Sequence, residues 1–90
     1  MVYRLGDDKV SAKEMFEKLG YEEIKLTDDG LVALYEKIIF GDRQSIYFYP
    51  EKSVRIIFHS GERIYPPIID SRELQAINKQ VEELGWNNEK

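Results

Sequence analysis

Ninety residues, 42% of them apolar, with no cysteine and a net charge of −4, describe one globular domain able to bury a core. They exclude a disulfide scaffold, a thiolate metal site and a cysteine nucleophile, and the acidic balance argues against unspecific binding to phosphate backbones. The charge is uneven: residues 1–30 carry eight acids and five bases, residues 31–69 four and five, and residues 70–90 five and three, so the middle, at +1, is the least acidic part.

The opening Met-Val-Tyr-Arg-Leu-Gly-Asp-Asp lacks the apolar stretch of a signal peptide, and the longest apolar run, Ile38-Ile39-Phe40, is far too short to cross a bilayer. A soluble protein is therefore expected, and the lack of cysteine fits a reducing cytoplasm; residues 1–9 and 87–90 are expected to fray. The first helix should start at Ser11, whose hydroxyl can cap the amide of Glu14 while Glu14 reaches back, and should stop at Gly20. Ala12, Met15, Phe16 and Leu19 give it an apolar stripe at spacings of three and four. Glycine at the first position past a helix can adopt the left-handed conformation, and Tyr21 stands where an aromatic can fold back.

Beyond Tyr21 the apolar period changes from about 3.6 to two, the mark of half-buried antiparallel strands. Four strands are predicted: Glu22 to Leu26, Val32 to Phe40, Ser45 to Tyr49 and Ser53 to His59. The intervening turns fall at Asp28-Asp29-Gly30, Gly41-Asp42-Arg43-Gln44 and Pro50-Glu51-Lys52. Ile64-Tyr65 is a candidate fifth strand, brief and at the edge, before Pro66-Pro67 forbids further pairing. Asp70 and Glu73 then form a second capping box, and Leu74, Ile77, Val81 and Leu84, with Ala76 beside them, mark the buried stripe of a helix ending at Gly85-Trp86. Gln75, Lys79, Gln80 and Glu82 are expected to face water. The expected fold is a single α+β domain over residues 1–90: an antiparallel meander of four or five strands between an N-terminal and a C-terminal helix, both helices on one face of the sheet.

Sorted by parity, Leu34, Ile38, Phe40, Ile46, Phe48, Val54, Ile56 and Phe58 form a nearly pure apolar set expected in the core. Tyr35, Lys37, Ile39, Tyr47, Tyr49, Arg55, Ile57 and His59 are then expected on the opposite face. That placement gathers three tyrosines, two bases and the single histidine. Such a face suits a protein interface, an exposed sheet decorated with strong strand formers, or a platform that stacks the bases of a single strand.

Catalytic patterns are absent. His59 is the sole histidine and has no cysteine to share a metal; no Gly-x-Ser-x-Gly elbow surrounds any serine, and the glycines form no phosphate loop. The acidic pairs Asp7-Asp8, Glu22-Glu23, Asp28-Asp29 and Glu82-Glu83 read as solvated turns and helix ends. No catalytic, metal or cofactor-binding residue is assigned, and no small-molecule substrate is expected.

The stretches Ala12-Lys13-Glu14-Met15-Phe16-Glu17-Lys18-Leu19-Gly20-Tyr21 and Glu73-Leu74-Gln75-Ala76-Ile77-Asn78-Lys79-Gln80-Val81-Glu82-Glu83-Leu84-Gly85-Trp86 resemble small uncharacterised proteins carried by phages, prophages and mobile elements of low-GC Gram-positive bacteria. Those open with a helix ending in KLGY and close with a helix reading ELQAINKQIEELGW. The resemblance implies a bacterial cytoplasm and an accessory role, and brings no activity or site residues. Accessory phage proteins of this size often bind a host or phage protein. The resulting expectation is a non-enzymatic module that binds a protein partner, or a second copy of itself, through Tyr35, Lys37, Tyr47, Tyr49, Arg55, Ile57 and His59. A weak single-strand nucleic-acid binder using the same tyrosines with Arg55 and Lys37 is the alternative. Pairing of an exposed edge strand between two copies is a third route to association, and the sequence does not say which edge is free.

Overall fold

A computed structural model describes residues 10–26 and 30–86. Helix α1 (Ala12–Lys18) is followed by strands β1 (Glu22–Glu23), β2 (Ala33–Ile39), β3 (Asp42–Tyr49), β4 (Ser53–Ser60) and β5 (Arg63–Tyr65), and by helix α2 (Ser71–Glu83). The α+β class, the helix at each end and the antiparallel meander all match the sequence expectation, with five strands in the order β1-β2-β3-β4-β5. The fraying expected at both termini and most of the Asp28-Asp29-Gly30 turn fall outside the described residues. The chain divides into two compact units, a helical one built on α1 and α2 and a sheet unit within Gly20–Ile68.

Both helices begin where local hydrogen bonding dictates. Ser11 Oγ accepts from the Glu14 amide at 3.1 Å while Glu14 Oε1 accepts from the Ser11 amide at 3.0 Å, so two orphan donors are satisfied reciprocally. Asp70 Oδ1 likewise accepts from the amides of Arg72 at 2.9 Å and Glu73 at 3.0 Å, and Glu73 Oε1 from the Asp70 amide at 2.8 Å. Gly20 and Gly85 end the helices at φ +96° and +80°, the left-handed geometry that a side chain would strain.

In the helical unit the Ala12 amide, unpaired within its own helix, donates to Glu83 Oε2 at 2.8 Å and so ties α1 to the last turn of α2. Ala12, Phe16, Ala76 and Ile77 are buried together with Glu73 and Gln80. This corrects the expected stripe of α2: Gln80 is only 8% exposed and Leu74 is 48% exposed. The buried face follows residues 73, 76, 77 and 80, centred on the small Ala76, where little side-chain volume stands off a neighbour.

The β2–β3 turn also differs from expectation. Ile39 pairs with Asp42, so the turn is the dipeptide Phe40-Gly41 and β3 starts earlier than Ser45. Phe40 at φ +49° and Gly41 at +86° have the two positive φ values of a type I′ hairpin turn. Glycine adopts this freely. A phenylalanine does so at a cost of about 1–2 kcal/mol.

That turn sets the register Tyr35↔Ile46 and Ala33↔Phe48, and β3 continues it with Ile46↔Ile56 and Phe48↔Val54. Paired residues share a face. Ala33, Tyr35, Lys37 and Ile39 therefore lie with Gln44, Ile46, Phe48, Val54, Ile56 and Phe58, while Leu34, Glu36 and Ile38 lie on the other side. The expected parity of β2 was inverted, and Tyr35 and Lys37 are corrected with it. Tyr35 is 2% exposed and meets the Phe48 ring edge-on at 6.2 Å between centroids. Lys37 holds its ammonium 4.6 Å from the centre of the Tyr21 ring. Beside it Gln44, also buried, donates to Tyr21 Oη at 2.9 Å and reaches the Ile68 carbonyl at 3.5 Å. Phe40, expected in the core, is fully exposed at the hairpin tip. Burial of Ile46 and Phe48 on this face is worth about 1.5–3 kcal/mol for each side chain.

Candidate interaction surface

The opposite face of the sheet carries what the sequence offers for recognition. Its rows, read from β2 outwards, are Leu34–Tyr47–Arg55, Glu36–Ser45–Ile57 and Ile38–Arg43–His59–Ile64, with Tyr49 beside Ser53 at one end. Tyr47, Tyr49, Arg55, Ile57 and His59 are thus brought together as expected, and Tyr35 and Lys37 are not. Leu34, Ile38, Arg43 and Ile64 join the face instead. The signal that places them is the length of the β2–β3 turn, and a phenylalanine where Asn or Asp usually precedes the turn glycine conceals it.

Tyr47 and Tyr49 stand two residues apart on β3 and therefore point the same way. Their rings stack at 6.3 Å between centroids with 16° between planes. Arg55, across the ladder from Tyr47, places its guanidinium carbon 5.9 Å from the centre of the Tyr49 ring. The three side chains form one flat, partly solvated platform. At the other end of the face, Ile38 is 66% exposed and Ile64 65%, flanking Arg43 and His59.

The centre of the face is polar and occupied. Ser45, fully buried, donates from Oγ to Glu36 Oε2 at 3.2 Å, and Arg43 Nε lies 3.9 Å from the same oxygen. Glu36 stands opposite Glu22 of β1, a like-charge pair that these two contacts offset. A serine beside a carboxylate invites a nucleophilic reading, but a hydroxyl without solvent exposure cannot meet an incoming substrate. Among the described residues no group of three or more His, Asp or Glu is placed to share a metal ion. A depression of about 300 Å³ in the sheet unit is lined by Glu23 to Leu26 with Val32 and Ala33, and one of about 430 Å³ in the helical unit by Val10, Glu14, Glu17 and Lys18; neither has a lining residue from this face. No helix among the described residues is long and apolar enough to cross a membrane.

Compared with protein-family models, curated proteins and solved structures, the chain matches none.

Proposed function

We propose that this chain is a non-enzymatic interaction module that binds a protein partner through the sheet face bearing Tyr47, Tyr49, Arg55, Ile57 and His59, joined by Leu34, Ile38 and Ile64. The observation that carries the reading is the pre-stacked Tyr47–Tyr49–Arg55 platform, with the part-exposed Leu34 beside Tyr47 and Ile57 two residues from Arg55 on the same face. Tyrosine and arginine are the residue types that dominate binding energy at protein interfaces, and rings already stacked lose little freedom on docking. The likeness of both helix endings to small phage and prophage proteins supports an accessory role in a bacterial cytoplasm. The nucleic-acid alternative keeps the tyrosines and Arg55 but loses Lys37, whose ammonium sits at Tyr21 on the other face.

The test is a tagged pull-down from a Gram-positive host lysate with and without nuclease, run in parallel with a Tyr47→Ser, Tyr49→Ser variant. A stoichiometric protein that survives nuclease and is lost with the variant supports the proposal, because losing two interface tyrosines should weaken binding by about 2 kcal/mol or more. The variant's melting temperature should barely move. Nuclease-sensitive material alone, with affinity falling steeply with salt, would favour the single-strand reading.

A further inference from the structure

Among the described residues, strand β4 has a strand partner along only part of its outer edge. β5 pairs with Phe58, His59 and Ser60 and goes no further. In that register Pro66 would come next, opposite Ile57, and Pro67 opposite Ile56, and neither has an N–H to donate. Residues 53–57 therefore have no strand partner on this side among the described residues. Ladder alternation sends outwards the N–H and C=O groups of Val54 and Ile56, the same parity as Phe58 and Ser60, which face β5. These groups form a short template for one more strand, bounded by β5 at one end and by the Tyr49–Lys52 turn at the other.

The side chains decide what can occupy it. Pairing with a second copy about a two-fold axis must obey a symmetric register. The register that uses the whole edge sets Val54 opposite the copy's Ile56, and so sets Arg55 opposite itself in the closer, non-hydrogen-bonded type of pair, with Cα atoms about 4.5 Å apart. Two like charges directly opposed oppose pairing. Centring on Ile56 would bring the copy's Val54 to Phe58, whose edge Tyr65 already holds, and centring on Val54 would run Ile56 into Lys52, which turns at φ +71°. A carboxylate facing Arg55 reverses the sign of the interaction.

We infer that residues 53–57 of β4 are a docking edge for an extended segment of another protein, antiparallel to β4, with apolar residues opposite Val54 and Ile56 and an acidic residue opposite Arg55, and that Arg55 excludes a second copy from the same edge. This site is the backbone edge of β4; it shares Arg55 with the tyrosine face but does not use Tyr47 or Tyr49, so the two readings are told apart by the tyrosine variant.

The probe is the blocked heptapeptide Ser-Val-Val-Glu-Val-Thr-Ser, with its lysine counterpart Ser-Val-Val-Lys-Val-Thr-Ser, each titrated into the ¹⁵N-labelled protein. The glutamate peptide should shift the amide signals of residues 53–57, slow hydrogen exchange at Val54 and Ile56, and bind about fivefold more tightly than the lysine peptide. Arg55→Glu, at an exposed position, should reverse that preference. Val54→Pro, which removes an outward N–H and leaves the β3 ladder intact, should abolish both titrations. Tyr47→Ser, Tyr49→Ser should leave the Val54 and Ile56 protection in place. Shifts outside this edge, no binding, an unchanged preference in Arg55→Glu, or wild-type dimers paired along residues 53–57 would each overturn the inference.

Discussion

Replacing Phe40 by asparagine should stabilise this protein, although it deletes an aromatic ring. Phe40 sits at φ +49° in a two-residue turn and its side chain is fully exposed, so the ring contributes no burial while the backbone is held in a region that disfavours a bulky L-residue. Relief of that strain is worth about 1 kcal/mol, because asparagine tolerates the left-handed conformation and Asn-Gly is a favoured type I′ pair. For a domain of this size a gain of about 1 kcal/mol raises the melting temperature by about 4–8 °C. Circular dichroism melts and urea titrations of wild type, Phe40→Asn and Phe40→Ala check it. The alanine control removes the ring but keeps the strained Cβ, so it should gain little. Equal gains from alanine and asparagine would refute the backbone argument, and a loss with asparagine would show that the ring has a contact that supports the fold.

Two further outcomes follow from the same contacts. Tyr21→Phe leaves the buried Gln44 amide without its 2.9 Å acceptor and should cost about 1–3 kcal/mol in urea denaturation; a cost below about 0.5 kcal/mol would mean that Gln44 re-pairs elsewhere. Asp70 is held below its ordinary value of 3.8, chiefly by the Glu73 amide and then by the Arg72 side chain, so its capping contribution is complete above that value and is lost as pH falls through the lowered one. Asp70→Asn should melt like wild type at neutral pH and show a shallower loss of stability below about pH 4, since asparagine caps equally well without titrating. An identical acid profile in the two proteins would remove Asp70 from the pH dependence.

Local chemistry made the helix ends readable from the chain alone. Ser11 with Glu14, Asp70 with Glu73, and the glycines at 20 and 85 act on amides and carbonyls within a few residues, so their geometry does not depend on what packs beyond them. Strand order was readable for a related reason: short connections leave antiparallel neighbours as the accessible topology. Tyr47, Tyr49, Arg55, Ile57 and His59 were placed together because β3 and β4 each keep a clean alternation.

The side of the sheet to which β2 turns each residue was fixed only in three dimensions. Leu34, Ile38 and Phe40 are the more apolar set, yet a two-residue turn pairs Tyr35 with Ile46, and the buried Tyr35 ring with Lys37 over Tyr21 takes the positions those residues were expected to fill. A turn one residue longer or shorter would flip every side chain of β2, and no local signal in Phe40-Gly41 specifies its length as strongly as an Asn-Gly would. The open edge of β4 was decided in the same way. Pro66-Pro67 shows where β5 must stop, but only the register of β4 with β5 reveals which backbone groups that stop leaves uncovered, because hydrogen-bond pairing between strands is a property of their alignment and not of either strand's composition.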